Sequence, residues 1–164
     1  AARNSGVQAA TGDFLAFLDA DDIWAPDKLR RQVDYLADHP DVGYVISRMR
    51  VLFEPGTDWP AGVNRDYYES DPPWFGPSAL LARTSVFEEI GAFDVDYRHG
   101  NDSDWFFRAK DAGIRMGVVP RVLVYRRFHE SNLSRNTGEM TDEILRVVRS
   151  SLVRRRGSLE QEET

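Results

Sequence analysis

The sequence predicts an α/β fold in which a mixed, mostly parallel sheet is flanked by helices. Phe14 to Leu18 is a continuous apolar run, FLAFL, that ends in the carboxylates of Asp19, Asp21 and Asp22. Runs of this kind suit strands covered on both faces. Shorter apolar runs recur at Val42–Ile46, Met116–Val119 and Val122–Tyr125, separated by segments with helical spacing. Ligands of open α/β sheets gather at the carboxyl ends of their strands, where the acidic cluster lies. Three crowded carboxylates are costly unless something positive neutralises them, and a divalent cation with bound phosphates does so.

A helix opens the chain: Ala9 and Ala10 favour it, and Gly12 ends it before the first strand. The chain has no initiator methionine, so a fragment or processed form is expected. Pro26 suits the first turn of a helix running to about His39, which caps it, with Pro40 beyond. Leu29, Val33 and Leu36, at i, i+4 and i+7, give that helix an apolar stripe. Val42–Ile46 predicts a second buried strand and Val51–Phe53 a third. Glu54 to Pro77 reads as a long irregular loop carrying Trp59, Tyr67, Tyr68, Trp74 and Phe75. Loops this long are more often functional than idle. The rings are either a stacking surface for an acceptor or packed against one another.

Ala79–Ala82 predicts a short strand, and Ser85 with Glu88 a capping box for the helix VFEEI, which Gly91 ends. A helix from Asn101, Asp102, Ser103 and Asp104 to Gly113 turns Phe106 and Ala109 inward. Met116–Val119 and Val122–Tyr125 are strands joined at Pro120. Thr141–Arg156 is a helix with a basic end, followed by a polar tail, GSLEQEET, expected to be mobile.

At 164 residues the chain supports one ordinary core, and 41% apolar content with 12% aromatics is globular rather than disordered. A net charge of −6 argues against a general nucleic-acid binder. The absence of cysteine excludes disulfides and thiolate zinc sites, and suits a reducing, cytoplasmic setting. No stretch is as long as a membrane-spanning helix.

Asp19 and Asp21, two apart where the backbone leaves the sheet, can approach one cation; alternatively they form a solvated acidic turn ahead of Pro26. An EF-hand is excluded, because Trp24 and Arg30 stand where that loop needs glycine and glutamate. Asp102 and Asp104 at a helix start are either N-caps or, held ionised by the helix dipole, a general base, and spacing leaves the choice open. His129 follows a strand and two arginines, Arg126 and Arg127; a lone histidine is more often a packing residue than a ligand. His99 has no assignment from sequence. The basic run Arg154–Arg156 either touches anionic lipid or is a solvated helix end.

Four stretches, in order, resemble the family 2 glycosyltransferases, inverting enzymes of the GT-A (Rossmann-like) fold. They are ARNSGVQAATGDFLAFLDADDIWAPDKL, SALLARTSVFEEIGAFD, GNDSDWFFRAKDAG and VYRRFHESNLS, spanning most of residues 1–135. The resemblance implies metal-dependent transfer of a sugar from a nucleotide-diphosphate donor to an acceptor hydroxyl. It implies Mg2+ or Mn2+ held by Asp19, Asp21 and His129, and donor contacts from Arg3, Asp19, Asp21 and Arg126. Asp102 matches the family's general base, and Trp74, Asp104 and Trp105 fall on the acceptor side. Asn101 stands where the family usually has glutamate, and the family's opening strand-helix-strand half has no counterpart. The sequence thus divides into residues 1–137, the C-terminal catalytic part of a GT-A-like domain truncated at its N-terminus, and 138–164, a basic helix and flexible tail. Expected partners are a nucleotide-sugar donor, a glycan, lipid-linked or small-molecule acceptor, the inner face of a membrane through the basic helix, and a second copy of the chain. Two rival readings are a non-catalytic interaction module of the same fold and a haloacid-dehalogenase-type phosphatase. The phosphatase also needs a lysine that neither Lys28 nor Lys110 places well.

Overall fold

The chain runs through α1 (Ala2–Ala9), β1 (Phe14–Ala16), β2 (Asp22–Trp24), α2 (Lys28–Asp38), β3 (Tyr44–Phe53) and α3 (Arg65–Glu69). A 3-10 turn (Pro77–Ala79), β4 (Leu81–Arg83), α4 (Thr84–Ile90), α5 (Asn101–Asp111), β5 (Met116–Phe128) and α6 (Thr137–Glu162) complete it. This computed structural model describes residues 2–59, 63–128 and 137–162.

Five strands form one mixed sheet in the order β1-β4-β3-β5-β2. Alternation along β3 sets the layers: Tyr44 and Ile46 enter one apolar cluster, with Phe87, Trp105 and Phe106, while Val45 enters another, with Leu36 and Leu81. Helices therefore cover both faces, as the apolar runs anticipate. The parallel share is smaller than those runs suggest. Among the described residues only β3 and β5 pair in parallel; β1–β4, β4–β3 and β2–β5 are antiparallel. An apolar run reports coverage on both faces, and coverage is indifferent to the direction of the neighbouring strand.

The run FLAFL is strand only over Phe14–Ala16, at the sheet's edge. Leu15 is buried in one cluster, Phe14 and Ala16 pack against the other, and Leu18 is exposed. β3 is one strand rather than two, irregular around Arg48. β5 is likewise continuous through Pro120, whose missing N–H coincides with a register shift between Val119 and Val122. Beyond Val45, the edge of β3 is taken up by Pro72–Trp74: the Trp74 N–H donates to Ser47 O and the Met49 N–H to Pro72 O, each at 3.0 Å. The long loop thus contains sheet-bound and helical pieces. Phe53, Trp59, Tyr68 and Phe128 meet there with ring centroids 4.7–6.3 Å apart.

The inner stripe of α2 is Lys28, Gln32 and Leu36, and Leu29 is 44% exposed. α4 starts at Thr84, so Ser85 lies inside it and no capping box forms; the Thr84 hydroxyl instead donates to Gly12 O at 2.6 Å. Gly91 ends α4 at φ 81. α6 is helical to Glu162, through much of the segment expected as a mobile tail. It docks on α5, with Ser151 Oγ donating to Asp111 at 2.8 Å and Arg154 Nε at 2.9 Å. Among the described residues no helix is long and apolar enough to cross a membrane.

Candidate active site

The acidic loop forms where β1 leaves the sheet. Phe17 anchors its start against the rings of Phe87 and Phe93, at 5.6 and 5.2 Å. A turn closes it, the Asp22 N–H donating to Asp19 O at 3.0 Å, and β2 begins at once. Arg127 braces the loop from β5, its Nε donating to Asp21 O at 2.9 Å and its Nη2 to Ala20 O at 3.3 Å. Asp21 is half-buried. Asp22 is buried, and burial pushes its carboxyl up to about 6, with Asp21 and Asp19 adding repulsion and Ser78 and Arg126 opposing it.

Arg3 of α1 joins this loop to α5. Its Nη2 reaches both carboxylate oxygens of Asp19 at 2.6 and 2.8 Å, and its Nη1 donates to Asn101 Oδ1 at 3.2 Å. Asn101 is so linked through Arg3 to the acidic loop, and its amide donates to Tyr97 O at 3.3 Å. Asp102 lies next on the helix. Burial raises its pKa; the Ser103 N–H, 2.7 Å from Oδ1, and the Arg3 charge pull the other way. The N-cap of α5 is Gly100, so neither Asp102 nor Asp104 serves as the cap.

Asp104 and Trp105, expected on the acceptor side, are both buried. Asp104 is 2% exposed and accepts from Arg108 Nε at 2.7 Å, while Arg108 also donates to the carbonyls of Ile90 and Ala92. Trp105 is 0% exposed, stacked on Phe87 at 4.7 Å and edge-on to Tyr44 at 5.4 Å. One helical turn of α5 places Asp102 toward Arg3, and Asp104 and Trp105 into the core. Trp74 is half-buried, with the Arg126 guanidinium 5.2 Å from its ring and 5.0 Å from that of Phe128. Arg126 lies opposite Asp22 in the β2–β5 register. His129 lies outside the described residues.

Carboxylate oxygens are the right donors for a hard cation, and magnesium-type ions need only one or two protein carboxylates beside phosphate oxygens. Among the described residues no three acidic or histidine side chains converge on one point. Asp19 is engaged by Arg3 through both of its carboxylate oxygens.

Several residues of the site carry no sequence signal. Ser78 Oγ accepts the Asp19 N–H at 3.0 Å. Lys28 is fully buried, its Nζ donating to Gln32 Oε1 at 2.6 Å, and burial pushes it down to about 7. That commitment also removes Lys28 from any phosphatase-like role. On α6, Glu143 accepts from the N–H groups of Arg98, His99 and Gly100 at 3.1, 2.6 and 2.8 Å, holding the turn before Asn101. His99 Nε2 lies 3.2 Å from Glu139. His39 ends α2 as expected, its Nδ1 2.8 Å from Tyr35 O.

The family model described as glycosyl transferase family 2 matches residues 1–116. A pre-mycofactocin glycosyltransferase of Mycobacterium tuberculosis is 31% identical over 136 residues, covering 76% of this chain and 29% of that protein. The chain therefore spans under a third of that relative's length. Among solved structures, S. aureus TarS 1-349 in complex with UDP-GlcNAc superposes with a TM-score of 0.66 at 16% identity, over 92% of this chain and 45% of that one. The mannosyltransferase PcManGT of Pyrobaculum calidifontis, in complex with GDP-Man and Mn2+, gives 0.57 at 27% identity, over 80% and 36%.

Proposed function

Because the chain belongs to glycosyl transferase family 2, we propose that it forms the acceptor-side and metal-side part of a glycosyltransferase. It would move a sugar from a nucleotide-diphosphate donor to an acceptor hydroxyl, with inversion. The observation that carries this reading is the Arg3 fork, which ties Asp19 of the D-x-D loop to Asn101, immediately before the half-buried Asp102. Metal-side and base-side carboxylates so meet at one place. Asp102 takes the proton of the acceptor hydroxyl as its oxygen bonds to the anomeric carbon, and the nucleotide diphosphate leaves from the opposite face. A carboxyl raised by burial is suited to that proton. Asp21 would hold Mg2+ or Mn2+, and the ion would supply neutralising charge to the departing diphosphate. Arg126, between Trp74 and Phe128, offers a further cation to the donor, and Trp74 an aromatic face to the acceptor.

Residues 1–137 carry these groups. On α6, exposed Leu145, Leu152 and Val153 interleave with Arg146 and Arg149, a pattern compatible with an anionic membrane surface near the acceptor. The test is a pair of substitutions in the full-length protein. Asp102→Asn should lower kcat by about a hundred- to ten-thousand-fold with donor affinity kept. Asp21→Asn should weaken Mn2+-dependent binding of UDP or GDP in calorimetry. Donor affinity lost equally in both would remove Asp102 from the base role, and no donor turnover at all would favour a non-catalytic module.

A further inference from the structure

The inner stripe of α2 begins with an amine and an amide where an aliphatic residue is the usual choice. Lys28 and Gln32 are each 0% exposed, while Leu29 beside them faces solvent. Burying such groups is unfavourable unless every polar atom finds a partner. The partners here form a pattern. Trp24 Nε1 donates to Ser78 O at 2.7 Å, Gln32 Nε2 to Ala79 O at 2.8 Å, and Lys28 Nζ to Leu80 O at 3.4 Å. Three consecutive carbonyls are thus held by three side chains of one β2–α2 unit. The donors are also joined to each other, because Lys28 Nζ bonds Gln32 Oε1 at 2.6 Å and sits 4.3 Å from the Trp24 ring centroid.

What the grip holds in place is the serine next to the acidic loop. Ser78 Oγ accepts the Asp19 N–H at 3.0 Å and is hydrogen-bonded to the Asp22 carboxyl. The segment it belongs to starts at Trp74, bonded to β3, and passes Gly76, where a Cβ would overlap the Trp74 indole. One short stretch therefore touches both the D-x-D loop and the aromatic face beside it. We propose that Trp24, Lys28 and Gln32 are positioning residues that fix Ser78 and, through it, set the D-x-D loop against the Trp74 segment. The inference rests on the reading of that loop as the donor site. None of the three meets substrate; they act through Ser78.

Each variant leaves a buried acceptor short of a donor, Gln32 Oε1 and Leu80 O in Lys28→Met and Ser78 O in Trp24→Phe, so thermal midpoints should fall while unfolding stays cooperative. Amide hydrogen exchange should quicken at residues 19–22 and 76–81, with α5 and β3 still protected. Mn2+-dependent affinity for UDP or GDP in the full-length protein should fall about ten- to a hundred-fold, as when partners that orient metal ligands are lost. Unchanged exchange in both variants overturns the proposal without reference to any ligand. Quickened exchange with wild-type affinity, where Asp21→Asn weakens binding, overturns the positioning role. A silent Asp21→Asn would instead sink the donor-site reading and this role with it. Should Lys28→Met fail to fold, Trp24→Phe, which keeps an aromatic ring and deletes one donor, decides alone.

Discussion

Gly76 and Trp105 show how single positions shape this site from opposite sides. At Gly76 no side chain is admissible, because a Cβ would overlap the indole of Trp74. That indole packs against the Met49, Ala79 and Val124 cluster and faces Arg126. Gly76→Ala should destabilise the protein by about 1–3 kcal/mol through overpacking, measured by urea unfolding, and should displace Trp74 emission. An unchanged midpoint and spectrum would mean the segment has slack. Trp105 is a core residue, and its Nε1 makes no hydrogen bond. Trp105→Phe should therefore be tolerated, and Trp105→Ala should cost about 3–5 kcal/mol. If Trp105→Phe lost turnover while keeping its stability, the ring would have to reach substrate after all. The sequence marks both residues as aromatic-loop or helix-start features; which ring is covered depends on chain segments remote from it.

Among the elements, α6 is the one whose contribution is least legible locally. Its sequence reads as a basic helix with a polar tail, yet Glu143 holds the N–H groups of Arg98, His99 and Gly100, one residue before Asn101. Ser151 and Arg154 hold Asp111 at the other end of α5. A carboxylate that accepts several N–H groups from a turn fixes that turn, so α6 fixes the start of α5 and with it Asp102. Glu143→Ala should cost about 1 kcal/mol. Burial opposes ionisation of Glu143, but the three N–H groups prevail and hold it below the usual 4.5. A carboxyl lowered in the folded state contributes stability above its unfolded value and loses it as pH falls through the folded one. The stability gap between wild type and Glu143→Ala should thus be full at pH 6 and shrink below 4.5. Urea titrations across that range check it; a gap that stays constant in acid would show that the bonds do not depend on the charge.

For the whole molecule, the sheet's outer strand β1 pairs with β4 on one side and, among the described residues, with nothing on the other. An unpaired edge beneath covered faces is a template for another strand. The chain of 164 residues should therefore associate with rising concentration in sedimentation experiments. A monomer at all concentrations would show that β1 needs no further neighbour.

By itself the sequence determined the features that local pattern can encode. Apolar runs required strands covered on both faces, Gly91 and His39 marked helix ends, and the placement of Asp19 and Asp21 behind an apolar run put two carboxylates at a strand end. The tertiary structure alone decided what each buried face meets. It set three of the four strand pairings antiparallel, sent Asp104 to Arg108 and Trp105 to the core, and buried Lys28 and Gln32 in place of Leu29. It also gave Asp19 to Arg3. Periodicity states which side of an element is covered, whereas strand direction, ion-pair partners and the worth of a buried amine are fixed by groups tens of residues away that pattern does not name.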